Sequence, residues 1–306
     1  MTGAIHIIKL RQIWSKISDL IYSAASQGPF EPTRACSSLA LQVPQLRQEL
    51  EVWYASTPIQ PQHSDSGPVS VFTSKDWFRL AYDHTIILLY RHCLTCQFHR
   101  QPNIIQPTSH CSKAQIDSAF RECAASAREI CLVYRRTYQR SPVRYTWGSL
   151  HILFLAGLTY LHCLWASDTV RRTVRHLDVV NTCTACNMVL VIIAERWSLA
   201  ASYRDLFEAL SEYTINMVFG SLGKQGPDGG FANSHLPSNN SLMAAVPSNE
   251  ASTQFVFDDS QLDNWLVNAE QMNVPDESEW LVHDFIRGFA TNQGENDIDG
   301  LHIQII

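Results

Sequence analysis

The stretch Cys183 to Phe219, CTACNMVLVIIAERWSLAASYRDLFEALSEYTINMVF, leaves little freedom in how it folds. Its apolar residues suit two amphipathic helices joined near Trp197 to Ser202. A chain that ends its apolar part this way must find other helices to cover both faces. The residues before it supply them. Leu10, Ile13, Trp14, Ile17, Leu20 and Ile21 recur at three- and four-residue spacing, which predicts a first helix over 8–25. Gly28-Pro29 ends it. Pro44 suits the first turn of a second helix, whose stripe is Leu46, Leu50 and Trp53. The segment TPIQPQHSDSGPVS (57–70) is a loop by its prolines and glycine.

A third helix is predicted over 74–99, with Leu80, Ala81, His84, Ile87, Leu88 and Arg91 on one side. A fourth follows over 112–138, with Ile116, Ala119, Cys123, Ala127, Ile130, Leu132 and Tyr134 as burial candidates. The most apolar window, WGSLHILFLAGLTYLHCLWA from Trp147 to Ala166, has the length of a bilayer span, yet His151 and His162 interrupt it. It reads as a buried core helix. Ser167-Asp168 is a polar break, after which a helix over 170–180 is expected to run toward another over 182–197. The last covers 202–218. No strand alternation precedes Gly220, so the predicted fold is all-α, one helical domain over 5–220.

Composition changes at Gly220. Residues 221–306 hold 13 of the 29 Asp/Glu but only 2 of the 23 Lys/Arg. The stretch 221–254 is rich in Gly, Pro, Ser and Asn and reads as a disordered linker. From 255 to 306 the chain is an acidic tail in which Phe255, Phe257, Leu262, Trp265, Leu266, Trp280, Leu281, Phe285 and Phe289 are interleaved with acids. Like charges keep such aromatics soluble until a partner groove folds them, the pattern of an acidic activation segment. Leu262, Trp265, Leu266, Trp280, Leu281 and Phe285 are therefore the predicted partner-binding residues. A tail helix packing back on the helical domain is the competing reading. The part ahead of the tail carries no basic run dense enough to grip phosphates.

Nine cysteines, an odd count set mostly in apolar helical patterns, point to a reducing compartment rather than a disulfide scaffold. No cleavable signal pattern opens the sequence. Two spacings suggest chemistry. Cys93-x2-Cys96, flanked by His92 and His99, and Cys183-x2-Cys186 could ligate zinc. Both continue apolar helical patterns without a bend, which favours buried thiols. Asp258-Asp259-Ser260-Gln261-Leu262-Asp263 resembles the magnesium motif of helical terpene synthases, but follows a linker and has no second motif. Glu195-Arg196-Trp197 and Tyr203-Arg204-Asp205 suit a helix end, a helix start and local ion pairs that fix an interhelical angle. No catalytic, cofactor or metal residue is assigned.

Six segments in order carry a resemblance. They are LRQIWSKISDLIYS from Leu10, LRQELEVWYASTP from Leu46, DWFRLAYDHTIILLYRHCL from Asp76, the region of Cys123-Ala124, TWGSLHILFLAGLTYL from Thr146, and CNMVLVIIAERWSLAASYRDLFEAL from Cys186. In the third, Asp83 separates Tyr82 from His84, where the family pattern has a Tyr-His pair. The set resembles the middle-homology, fungal-specific domain of fungal binuclear zinc-cluster transcription factors. The resemblance implies an all-helical regulatory domain in a nuclear protein, often a homodimer, acting on RNA polymerase II genes of metabolism or of secondary-metabolite clusters. Coactivators and a homo- or heterodimer partner are the implied contacts. The family's DNA-binding module needs six cysteines, two shared between two zinc ions. That pattern is not in this sequence, so zinc is expected only in such a module and direct DNA reading is not expected of these residues. The alternatives are a Cys/His or Asp-rich metal enzyme, and a negative regulator that dimerises with a full-length relative.

Overall fold

The computed structural model describes residues 2–26, 32–58, 74–95, 113–140 and 147–219. Every regular element among them is helical. In chain order these are α1 (Thr2–Ser26), α2 (Pro32–Ala55), α3 (Lys75–Thr95), α4 (Lys113–Arg140), α5 (Trp147–Ala166), α6 (Asp168–Thr173), α7 (His176–Arg196), a 3-10 turn (Ser198–Ala200) and α8 (Ala201–Phe219). The fold class is all-α. The expected linker and tail lie outside the described residues.

The apolar stripes read from the sequence are the buried faces. Leu10, Ile13, Ile17 and Leu20 of α1 meet Leu46, Leu50 and Trp53 of α2 and Phe78, Ala81, Tyr82, Ile86 and Leu89 of α3 in one cluster. A larger cluster joins α3 through Ile87 and Leu94 to α4, α5, α6, α7 and α8. All seven burial candidates on α4 are buried. The two clusters share α3. Its middle turn, Ala81 to Ile87, is buried at every position.

The second core is organised around α5. Leu150, Leu153, Phe154, Ala156, Leu158, Leu161, Cys163 and Leu164 are all fully buried, so this helix is apolar on every side because every side is covered. By length and composition α5 and α7 could each cross a bilayer, but α5 is 78% buried inside the fold over that window. It is a core helix. Gly157 shows how closely its neighbours approach: a Cβ there would meet the Phe207 ring at 2.6 Å and Cys186 Sγ at 2.8 Å.

Four boundaries differ from expectation. α1 starts at Thr2, six residues before the predicted start. Pro44 lies inside α2 rather than at its start. A proline in a helix interior removes one ladder bond, and the sequence offers no way to weigh that cost against the burial of Leu50 and Trp53 that follows. α3 ends at Thr95, four residues short of the expected limit. The helix expected over 170–180 is two pieces. Ser167 caps α6 through its hydroxyl, which accepts from the Val170 amide at 3.3 Å, and α6 stops at Thr173. Val174 and Arg175 are extended, and α7 starts afresh at His176. Arg171 locks the corner by donating to the carbonyls of Leu164 and Trp165 at the end of α5. Those carbonyls have no intrahelical partner, so a guanidinium satisfies them.

The Gly157 contacts set a testable limit. Gly157→Ala forces Phe207 or the α7 backbone to move and should lower stability by about 1–3 kcal/mol, as overpacking of a closed core does. Urea unfolding of the two proteins reads this directly, and equal midpoints would mean that the α5–α8 approach is looser than described.

Candidate functional site

Three consecutive buried polar residues on α3, Asp83, His84 and Thr85, lie where the two cores meet. Asp83 is fully buried and accepts from Arg79 Nε at 2.5 Å, with Ser126 of α4 beside it. Burial raises its carboxyl to about 6, and the Arg79 charge offsets only part of that rise. One residue on, His84 packs edge-on against Trp14, and Thr85 accepts from the Trp14 indole at 2.6 Å while donating to Ala81 carbonyl at 2.7 Å. A second group fastens α2 to α3 and α4. Arg47 donates to Glu122 at 2.9 Å and pairs with Glu51, Tyr82 donates to Glu51 at 2.7 Å, and Tyr90 donates to Glu122 at 3.3 Å. The two carboxylates raise the Arg47 guanidinium above its already high value, although burial opposes them. At the outer edge of the small core, His6 stacks on Trp53 at 4.8 Å while the Trp53 indole donates to the His6 carbonyl at 2.9 Å.

These arrangements are structural. Each charge among these described residues meets an opposite charge or a hydrogen-bond donor. The cysteines read the same way. Cys183 and Cys186 are buried on α7, facing Cys131 of α4, and burial pushes the Cys183 thiol up to about 12 and raises Cys186 well above its ordinary value. A thiol so raised is neither nucleophile nor metal ligand at neutral pH. Cys93 lies half-buried near the end of α3, while Cys96 falls outside the described residues. Among the described residues no three His, Cys, Asp or Glu side chains come together to hold a metal ion. Asp258 to Asp263 and the predicted partner-binding residues Leu262, Trp265, Leu266, Trp280, Leu281 and Phe285 lie outside the described residues. Arg204 pairs with its neighbour Asp205 at 2.6 Å inside α8, so that ion pair does not span two helices. Tyr203 sets the α5–α8 angle instead, packed edge-on against Phe154 and His151.

The surface offers two features that the sequence reading did not assemble. A cleft of about 290 Å³ runs between α7 and α8, lined by Val180, Cys183, Asn187, Glu208, Glu212 and Ile215 among others. The second feature is the α6–α7 corner, at the start of α7. There Asp178 is shared by Arg128 of α4 at 3.5 Å and Arg175 at 2.9 Å, and Arg135 of α4 donates to Asn181 at 2.8 Å. Leu177 stands 77% exposed between them, and the Phe219 ring at the end of α8 packs edge-on against His176. Only the fold brings α4, α6 and the end of α8 to one corner, so no sequence spacing could have signalled it.

Comparison with known proteins gives two similar chains. Over 245 residues the sequence is 24% identical to a positive regulator of purine utilization from Emericella nidulans, covering 72% of this chain and 22% of that protein. Over 129 residues it is 28% identical to an uncharacterized transcriptional regulatory protein of Saccharomyces cerevisiae, covering 37% of this chain and 9% of that protein. Both are fungal transcriptional regulators, and this chain spans less than a quarter of the length of either. No family model matches, and no solved structure matches.

The buried imidazoles give the fold a signature in pH. Burial pushes His84 down to about 4 and His162 down to about 3, so both stay neutral when folded. The unfolded chain takes up these protons near pH 6.5. Stability from them is therefore full above that value and is lost as pH falls toward the folded values. Each removes about 2 kcal/mol between roughly pH 7.5 and pH 5. Asp83 works in the opposite sense, since its raised carboxyl favours the fold as pH drops through about 6, and it offsets roughly 1 kcal/mol of that loss. His162→Leu should shrink the acid-side loss by about 2 kcal/mol in urea unfolding across that window. An unchanged loss would mean that His162 is protonated in the fold.

Proposed function

We propose that this chain is the regulatory body of a fungal transcription regulator that works in the nucleus on RNA polymerase II genes of a metabolic or secondary-metabolite cluster. The observation that carries this reading is the alignment of 72% of the chain with a fungal regulator of purine utilization, taken with a helix order that resembles the fungal-specific domain. The helical part supplies a rigid, water-excluding scaffold that transmits a signal or holds a homo- or heterodimer partner. Its thiols and imidazoles are spent on packing, which supports a role without catalysis. No zinc-cluster spacing occurs in residues 1–306, so the part proposed for them is regulation rather than DNA reading.

The acidic tail is the proposed contact with coactivators. Leu262, Trp265 and Leu266 share one side of a helix once a groove folds the segment, and Trp280, Leu281 and Phe285 repeat the arrangement downstream. The surrounding acids speed encounter with a basic groove, and the aromatic side chains supply the affinity.

Fusion of residues 250–306 to an unrelated DNA-binding domain tests the proposal. The fusion should activate a reporter in a fungal host, and Trp265→Ala with Trp280→Ala should lower the signal about tenfold, since each buried tryptophan anchor is worth about 2 kcal/mol. A silent fusion, or one indifferent to both substitutions, would remove the tail from the account.

A further inference from the structure

The α6–α7 corner combines three properties that seldom meet on a surface. Five arginines, Arg128, Arg135, Arg171, Arg172 and Arg175, belong to the helices that meet here, and three of them pair with two carboxylates: Arg128 and Arg175 with Asp178, and Arg171 with Asp168. Arg135 is held by the neutral amide of Asn181, so its charge is not cancelled. A large apolar side chain, Leu177, projects from the middle at 77% exposure, one helical turn from Asn181. Finally, α8 ends here. Phe219 contacts His176 at 4.5 Å between ring centroids, so the chain leaves the described fold beside Leu177. The corner is positive, apolar at its centre and placed where the rest of the chain begins.

The segment 255–289 has the complementary chemistry. It holds eight Asp or Glu and a single Arg, with Trp265, Leu266, Trp280 and Phe285 among them. We propose that this segment of the same chain docks on the α6–α7 corner, with an aromatic–leucine pair over Leu177 and its carboxylates on Arg172, Arg175 and Arg135. A tether of the length of 221–254 has a root-mean-square span of roughly 30 Å. It holds the segment at about millimolar effective concentration, so a contact of modest intrinsic affinity is enough to close. Charge-assisted pairs with arginine favour carboxylates presented in this way. Glu208 and Glu212, which line the α7–α8 cleft, repel the same segment and favour the arginine corner over the cleft. Docking covers the aromatics that a coactivator would need. That consequence rests on the tail reading proposed above, and the docking itself does not.

Photocrosslinking in the full chain tests it. Leu177→p-benzoylphenylalanine places the probe on an exposed position that the fold does not need. Irradiation should give a product of single-chain mass in which position 177 is joined to a peptide within 255–289. Arg172→Glu with Arg175→Glu should lower its yield about tenfold, the scale expected when two charge-assisted contacts become repulsive. The same probe at Val52, a comparably exposed position on α2, should give no such product. A product joined to another segment, a product of two-chain mass, no product, equal yield from Val52, or a yield indifferent to charge reversal would each overturn the proposal. None of these outcomes depends on whether residues 250–306 activate a reporter.

Discussion

Burial of α3 on all sides is the constraint from which the rest of the structure follows. A helix at a protein surface needs one apolar stripe; a helix between two cores needs a partner for every side chain, including the polar ones. α3 places Phe78, Ile86 and Leu89 in the small core and Ile87 and Leu94 in the large one. That leaves Asp83, His84 and Thr85 inside with no route to water. Each then draws a specific neighbour to it: Arg79 and Ser126 to Asp83, Trp14 to His84 and Thr85. The neighbours beyond α3 come from α1 and α4, so packing and bonding around these three polar residues also fixes how α1 and α4 sit. Removing one partner would strand a buried polar group, which costs more than the hydrogen bond itself contributes. The two cores are thus coupled through polar chemistry rather than through a continuous apolar surface.

This coupling explains which parts of the fold were legible in the sequence. The stripes of α1, α2 and α4 face a single core each, so three- and four-residue spacing found them. α5 was legible for the opposite reason, because a helix apolar all round has only one home in a fold like this. α3 was legible as a helix with Ala81, His84 and Ile87 on a buried side, but the burial of Tyr82, Asp83 and Thr85 was not, since only helices on both flanks make those positions an interior. The α6–α7 break is a matter of local capping. Ser167 and Asp168 read as a polar break rather than as the cap and first residue of α6, and the Arg171 contact back to the carbonyls that end α5 is one no spacing encodes.

The cysteine and histidine spacings show how a sequence pattern and a chemical site part company. Cys183 and Cys186 have the separation of a ligand pair, and on a loop their thiolates could converge on a cation. On α7 the same separation turns both toward Cys131 and the interior, where the neutral thiol is the stable form. His162 lies against the Phe120 ring in the same way, as an aromatic body in a dry core. Helical geometry decides the matter: residues three apart share a face, and here that face is the core. The residues with charge to spare lie elsewhere, on the rim of α4 and α6.

That division of labour gives the surface its meaning. A scaffold whose interior is closed communicates only through what it displays, and what it displays is uneven. Leu177 and the arginines gather where α8 hands the chain on, while Glu208 and Glu212 occupy the far wall of the α7–α8 cleft. Polarity of this kind selects one orientation of an acidic ligand and rejects its reverse, because like-charge contact is as costly as opposite-charge contact is favourable. Under the docking proposed above, competition for one corner between the tethered acidic segment and an outside partner would switch the protein without a conformational change in its core, and the balance would shift with any change in the charge of either.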